Sequence, residues 1–149
     1  MHAFPHRYIV SASAEPDGEV AVASAGLEPL RTAPPIEFDG PGDRWSPETL
    51  LCGALADCFV LTFRAITRAT KLRWLSLEVE VIGTLDREDR NSRFTRFDVE
   101  ARLQLPGDVD HEAAERALHK AEAGCLISNS LSAQRHLIVS ISSSSAATA

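Results

Sequence analysis

Ser46-Pro47-Glu48-Thr49-Leu50-Leu51-Cys52-Gly53-Ala54-Leu55-Ala56-Asp57-Cys58-Phe59 is the stretch around which the rest of the chain must be built. Serine can cap a helix, proline is welcome at the first helical position, and glutamate suits the first turn. The apolar spacing continues to about Thr70. Leu50, Leu51, Ala54, Leu55, Cys58, Leu61, Thr62, Ala65 and Ile66 recur at helical intervals, and Phe59, Val60 and Phe63 add apolar groups on other faces. A helix that is apolar on most sides is expected to be long, central and buried. Arg64, Arg68, Lys71 and Arg73 gather at its far end, where the helix dipole favours cations.

Strands flank this helix. Tyr8 to Ser13 and Glu19 to Ser24 read as a hairpin around Pro16-Asp17-Gly18. Gly26 to Pro35 reads as loop, Ile36-Glu37-Phe38 as a short third strand, and Asp39 to Asp43 as a turn cluster. Beyond the helix, Leu75 to Leu85 and Phe94 to Leu105 alternate apolar and polar and form the clearest hairpin, across a charged turn from Asp86 to Ser92. In the second strand Phe97, Val99, Ala101, Leu103 and Leu105 share one face. Asp110 to Ala123 is an amphipathic helix, capped by Asp110 and ended by Gly124. Ser128 to Ala133 reads as one more helical turn, His136 to Ser142 as a last strand, and Ser143 to Ala149 as a frayed tail of small residues.

Strands that arrive as hairpins rather than βαβ units predict an α+β fold with mainly antiparallel sheets, in a single domain over residues 1–149. Six short strands give too little cover for so apolar a helix, so an obligate homodimer is expected.

Composition narrows the class. The 149 residues suit one domain, and 44% hydrophobic residues allow a real core. A net charge of −6 argues against nucleic acid or an anionic membrane as main partner. No apolar run is expected to reach the roughly 20 residues that span a bilayer. The first residues lack the charged and apolar blocks of a signal peptide. Three cysteines, an odd number, do not make a secreted disulfide framework, so a reducing cytoplasm is expected.

The cysteines are also the candidate chemistry. Cys58 lies mid-helix beside Asp57, away from the dipole that activates thiols at helix starts, so any activating group must come from elsewhere in the fold. A buried helical cysteine is more often a small hydrophobe than a nucleophile. Glu48 stands ten residues earlier, about 15 Å along the axis, too far to touch its own Cys58. Either it is a plain first-turn acid, or it works on the Cys58 of a second subunit or through an arginine. Cys125 follows Gly124 at a helix end, as a packed thiol or a resolving one. Cys52 is six residues from Cys58, well round the helix and about 9 Å along it, and reads as structural. The five histidines are scattered, so no metal is expected; His136 could serve Cys58 as a base only in a hydrolase for which no motif is present.

Two segments together resemble the OsmC/Ohr family of organic hydroperoxide reductases. Ser46-Pro47-Glu48 with Leu50, Ala54 and Cys58-Phe59 is similar to the family's helix motif. Cys125-Leu126-Ile127-Ser128-Asn129 is similar to its Cys-Pro-x-Ser-Asn segment, with Leu126 in place of proline. The resemblance implies an OsmC-like fold and an intertwined homodimer with active sites at the interface. It implies that Cys58 attacks the peroxide, that Cys125 resolves the sulfenic acid as a disulfide, and that Glu48 holds a catalytic arginine. Organic hydroperoxides would be the oxidants and a dithiol such as dihydrolipoamide the reductant, with no cofactor. The family's arginine positions are not basic here: Glu15 to Glu19 holds none, and Glu37 precedes Phe38. Arg31 and Arg44 are the nearest substitutes, and Arg44, four residues before Glu48, is the better placed. The alternative implied by that departure is a non-peroxidatic dimer, a stress-response or apolar-ligand-binding protein.

Overall fold

The computed structural model describes residues 1–144; the tail expected at the C-terminus falls largely outside the described residues. The chain divides into two compact units, Met1–Leu50 and Leu51–Ala149.

The first unit holds β1 (Ser11–Ser13), β2 (Val20–Ala23) and β3 (Leu30–Thr32) in an antiparallel sheet of that order. The third strand is therefore not Ile36-Glu37-Phe38, which forms a 3-10 turn. Pro35 starts that turn, Phe38 N–H donates to Pro35 O at 2.9 Å, and Asp39 N–H donates to Ile36 O at 3.0 Å. Local bonds thus satisfy a backbone that would otherwise need a ladder partner. Leu30 instead pairs with Val22, inside the segment that sequence marks as loop. Gly40 folds so tightly on the proline pair that a Cβ there would lie 1.7 Å from Pro34 O. Only glycine fits at that position.

Helix α1 (Pro47–Thr70) begins where expected. Ser46 Oγ accepts from Thr49 N–H at 3.1 Å, and Thr49 Oγ1 accepts from Ser46 N–H at 2.9 Å. This is the reciprocal pattern of a capping box, with threonine in place of glutamate.

The second unit contains β4 (Ser76–Glu88), β5 (Asn91–Leu105), α2 (His111–Gly124), α3 (Leu126–Asn129) and β6 (Gln134–Ser143). β4 and β5 form the expected antiparallel hairpin. Its turn is only Asp89-Arg90, both at positive φ (48° and 69°), the geometry that matches strand twist in a two-residue hairpin. Asp110 caps α2 as expected, accepting from Glu112 N–H at 3.1 Å. β6 pairs with β5 in parallel, with α2 and α3 as the crossover. That is a βαβ unit, which the hairpin pattern of the sequence did not reveal, although antiparallel pairing still predominates. Parallel pairing depends on a connection long enough to return the chain.

The core lies on one face of this sheet. Phe97, Val99, Ala101, Leu103 and Leu105 are all buried against Ala114, Ala117, Leu118 and Ala121 of α2. From α1 the buried stripe is Leu55, Phe59, Phe63 and Thr67. Trp74 locks it, donating to Thr67 Oγ1 at 3.0 Å and meeting Phe63 edge-on. The stripe read from sequence as the main one is less buried: Ala54 and Ala65 are exposed, and Leu61 is 51% exposed. A second expectation also changes. α1 has 24 residues and a mean hydropathy of 1.7 over its most apolar 18-residue window, so by length and composition it could cross a membrane.

Candidate active site

Cys58 and Cys125 come from different elements and join one cluster. Cys58 lies in the fourth turn of α1, half-buried and packed on the core beside fully buried Phe59. Thr62 donates to Cys58 O at 2.7 Å, and its oxygen lies 3.9 Å from Cys58 Sγ. With its proton committed to the carbonyl, that hydroxyl meets the sulfur as an acceptor.

Cys125 is fully buried at the corner where α2 ends and α3 begins. Its N–H donates to Glu122 O at 3.4 Å, and its carbonyl accepts from Asn129 N–H at 2.9 Å. Burial pushes the thiol up from the ordinary 9.0 to about 11. The N–H groups of Ser128 and Ile127 pull it down, whereas the hydrogen-bonding and charge influence of the Cys58 sulfur pushes it further up. Both cysteines belong to one packed cluster. The packing is close, since a Cβ on Gly124 would sit 3.6 Å from Thr62 Cγ2.

Three polar groups hold the Cys125 corner. Glu122 Oε1 accepts from Ser128 Oγ at 3.0 Å and pairs with Arg135 Nε at 3.1 Å. Arg135 Nη1 also donates to Ser128 O. Sequence reasoning missed Glu122 and Arg135, yet both carried a signal. Glu122 is an acid in the last turn of a helix, where the dipole disfavours it. Arg135 is the charged member of the face it shares with Leu137, Val139 and Ile141.

Cys52 is placed as a structural thiol. A Cβ on Gly83 of β4 would fall 2.7 Å from its sulfur, and burial raises its pKa against a backbone hydrogen bond from Gly83. His136 pairs in register with Asp98, on the sheet face opposite Phe97 and Val99. It is thus separated by the sheet from the core on which Cys58 packs, and a Cys58–His136 dyad is not formed.

Arg44 and Glu48 belong to the first unit. Arg44 Nε pairs with Glu19 at 2.9 Å and Nη1 donates to Asp43 O at 3.1 Å, with the side chain 42% exposed. Arg31 is exposed and has no ion-pair partner among the described residues. Both arginines line one groove of about 570 Å³ with Leu30, Trp45 and Thr49. Glu48 Oε2 is buried without a hydrogen-bond partner among the described residues.

The raised Cys125 thiol sets a pH dependence. Between pH 9 and 11 the folded chain keeps a proton that the unfolded chain has released. Stability is therefore complete below pH 9 and falls as pH rises through 11. Urea midpoints of wild type and Cys125→Ala, compared from pH 8 upward, should converge over that window. A constant gap would show that the buried thiol does not titrate late.

A half-buried helical thiol and a fully buried thiol at a helix end belong to one core of an α+β fold. The family model described as OsmC-like protein matches residues 40–140, and the chain belongs to that family. An OsmC-like protein of unknown function from Vibrio cholerae superposes with a TM-score of 0.81 at 14% identity, covering 93% of this chain and all of that one. A Legionella pneumophila protein described as an organic hydroperoxide resistance protein superposes at 0.72 with 23% identity, over 94% and 99% of the two chains. Likeness at these identities shows the fold. The uncharacterised protein YmaD of Bacillus subtilis is 27% identical over 100 residues, 65% of this chain and 67% of its own.

Proposed function

We propose that the protein reduces organic hydroperoxides with its thiol pair. The observation that supports this reading is the meeting of Cys58 and Cys125 in one core cluster. The Cys58 thiolate attacks the outer peroxide oxygen, the O–O bond breaks, and the alkoxide leaves as an alcohol after taking a proton. Cys58 is left as a sulfenic acid. The Cys125 sulfur then displaces the hydroxyl, and its proton departs with it as water. A dithiol such as dihydrolipoamide, available in a reducing cytoplasm, reopens the disulfide by exchange.

The working form is a homodimer with its sites at the interface. In one chain only 17% of the most apolar window of α1 is buried, which leaves a face for a second copy to cover. The Glu48 and Arg44 of one subunit then serve the thiolate of the other, Glu48 orienting the guanidinium and Arg44 stabilising the thiolate. The exposed pairing of Arg44 with Glu19 contributes at most about 1 kcal/mol and does not hold it back. That same pairing is what favours the second reading, a dimer of this fold that binds apolar ligands without turning over peroxide.

Fully reduced protein should lose two thiols on addition of one equivalent of cumene hydroperoxide, with a Cys58–Cys125 bond found by peptide mapping. Thiols that remain reduced, or react only at the rate of free cysteine, would remove the peroxidase reading and favour the ligand-binding one.

A further inference from the structure

We propose that Glu122 and Arg135 are positioning residues that lock the α2–α3 corner and hold the Cys125 sulfur against Cys58 for disulfide formation. The inference deepens the thiol-pair reading and rests on it. Glu122 and Ser128 bracket Cys125, three residues before and three after, and Arg135 reaches both from β6. One carboxylate oxygen serves the guanidinium and the serine hydroxyl together. The pair is mostly withdrawn from solvent, at 28% and 18% side-chain exposure. The second carboxylate oxygen is buried without a partner among the described residues.

Stability alone gives little reason for this arrangement, because a largely buried ion pair is often matched by apolar side chains of the same volume. Directionality is what the pair adds. α3 has four residues and cannot hold itself as a helix. A disulfide demands a Cβ–Cβ distance of about 3.8 Å and a narrow torsion. In the step itself the Cys58 S–O bond breaks and the S–S bond forms, while the Cys125 proton leaves with the hydroxyl as water. A shift of about 1 Å at the corner is enough to slow such a step strongly.

The test compares wild type, Glu122→Gln, Arg135→Met and Arg135→Lys, each oxidised separately with cumene hydroperoxide and with diamide. Diamide takes the two thiol hydrogens itself and is converted to the hydrazine, so it reports on sulfur geometry without peroxide chemistry. With both oxidants, Glu122→Gln and Arg135→Met should slow the Cys58–Cys125 bond by about tenfold to a hundredfold. With hydroperoxide, a dimedone adduct should accumulate at Cys58. Arg135→Lys should restore part of the rate, and the double variant should be no slower than the worse single one. Iodoacetamide labelling should rise at Cys125 and stay within about twofold at Cys52. Wild-type bond formation in both variants, or an equal rise in labelling at Cys52, overturns the proposal. If wild type ignores hydroperoxide but closes the bond with diamide, the peroxidase reading fails and the diamide rates alone decide the positioning role. If Arg135→Met does not fold, Glu122→Gln, equal in shape to the native side chain, carries the same comparison.

Discussion

Cys58→Ser is expected to bring cumene hydroperoxide consumption down to the uncatalysed rate, a loss on the order of a thousandfold or more, while Cys52→Ser keeps it. The contrast is sharp because the two thiols share one helix and both are half-buried. Composition and burial do not separate them; their neighbours do. Cys52 rests on Gly83 of β4, whereas Cys58 packs on the cluster that contains Cys125. A serine hydroxyl at position 58 is far too weakly ionised to attack peroxide and cannot form a disulfide. Cys125→Ser should fall between the two: one equivalent of peroxide is consumed and Cys58 stops as a sulfenic acid, read as a dimedone adduct by intact mass. Equal turnover in Cys58→Ser and Cys52→Ser would sink the thiol-pair mechanism.

The largest stability effect is expected at Phe63→Ala, a loss of about 3–5 kcal/mol, measured as a shift in the urea unfolding midpoint. Phe63 is fully buried, and its ring meets Trp74 at 5.4 Å and 70°. Truncation leaves a cavity on the line where α1 contacts its own sheet, and Trp74 loses its edge partner while still bound to Thr67. Leu61 supplies the control. It is 51% exposed in a single chain, so Leu61→Ala costs little in a monomer and appreciably in the proposed homodimer, where a second copy covers that face. A loss at Leu61 comparable to that at Phe63, together with a concentration-dependent midpoint, would place α1 between two subunits. A small loss at both positions would contradict the core described above.

The same helix shows how far the sequence could be read. Its start followed from Ser46-Pro47-Glu48, and its length from apolar spacing, because both depend on neighbours within a turn or two. The inward face of β5 followed from strict alternation, which a pleated strand imposes whatever it packs against. Which side of α1 meets the sheet did not follow. A helix apolar all round carries no mark of which partner takes which face, and the face that met the sheet was Leu55, Phe59 and Phe63. Ile36-Glu37-Phe38 misled for a similar reason: its composition suits a strand, but the proline pair before it closes a local turn and the ladder goes to Leu30.

For the candidate site, the sequence by itself determined the two candidate thiols and their local setting: one in mid-helix at Cys58, and one at a helix end at Cys125. It also determined the α+β class, the long hairpin and the capped helices, since caps, turns and periodicities act over a few residues. Only the tertiary structure decided that Cys58 and Cys125 share one packed cluster, that β6 returns parallel to β5, that Glu122 and Arg135 close on the Cys125 corner, and that His136 faces away. Those outcomes depend on residues far apart in sequence being brought together. The free energy of such contacts comes from burial and charge pairing, which no local pattern encodes.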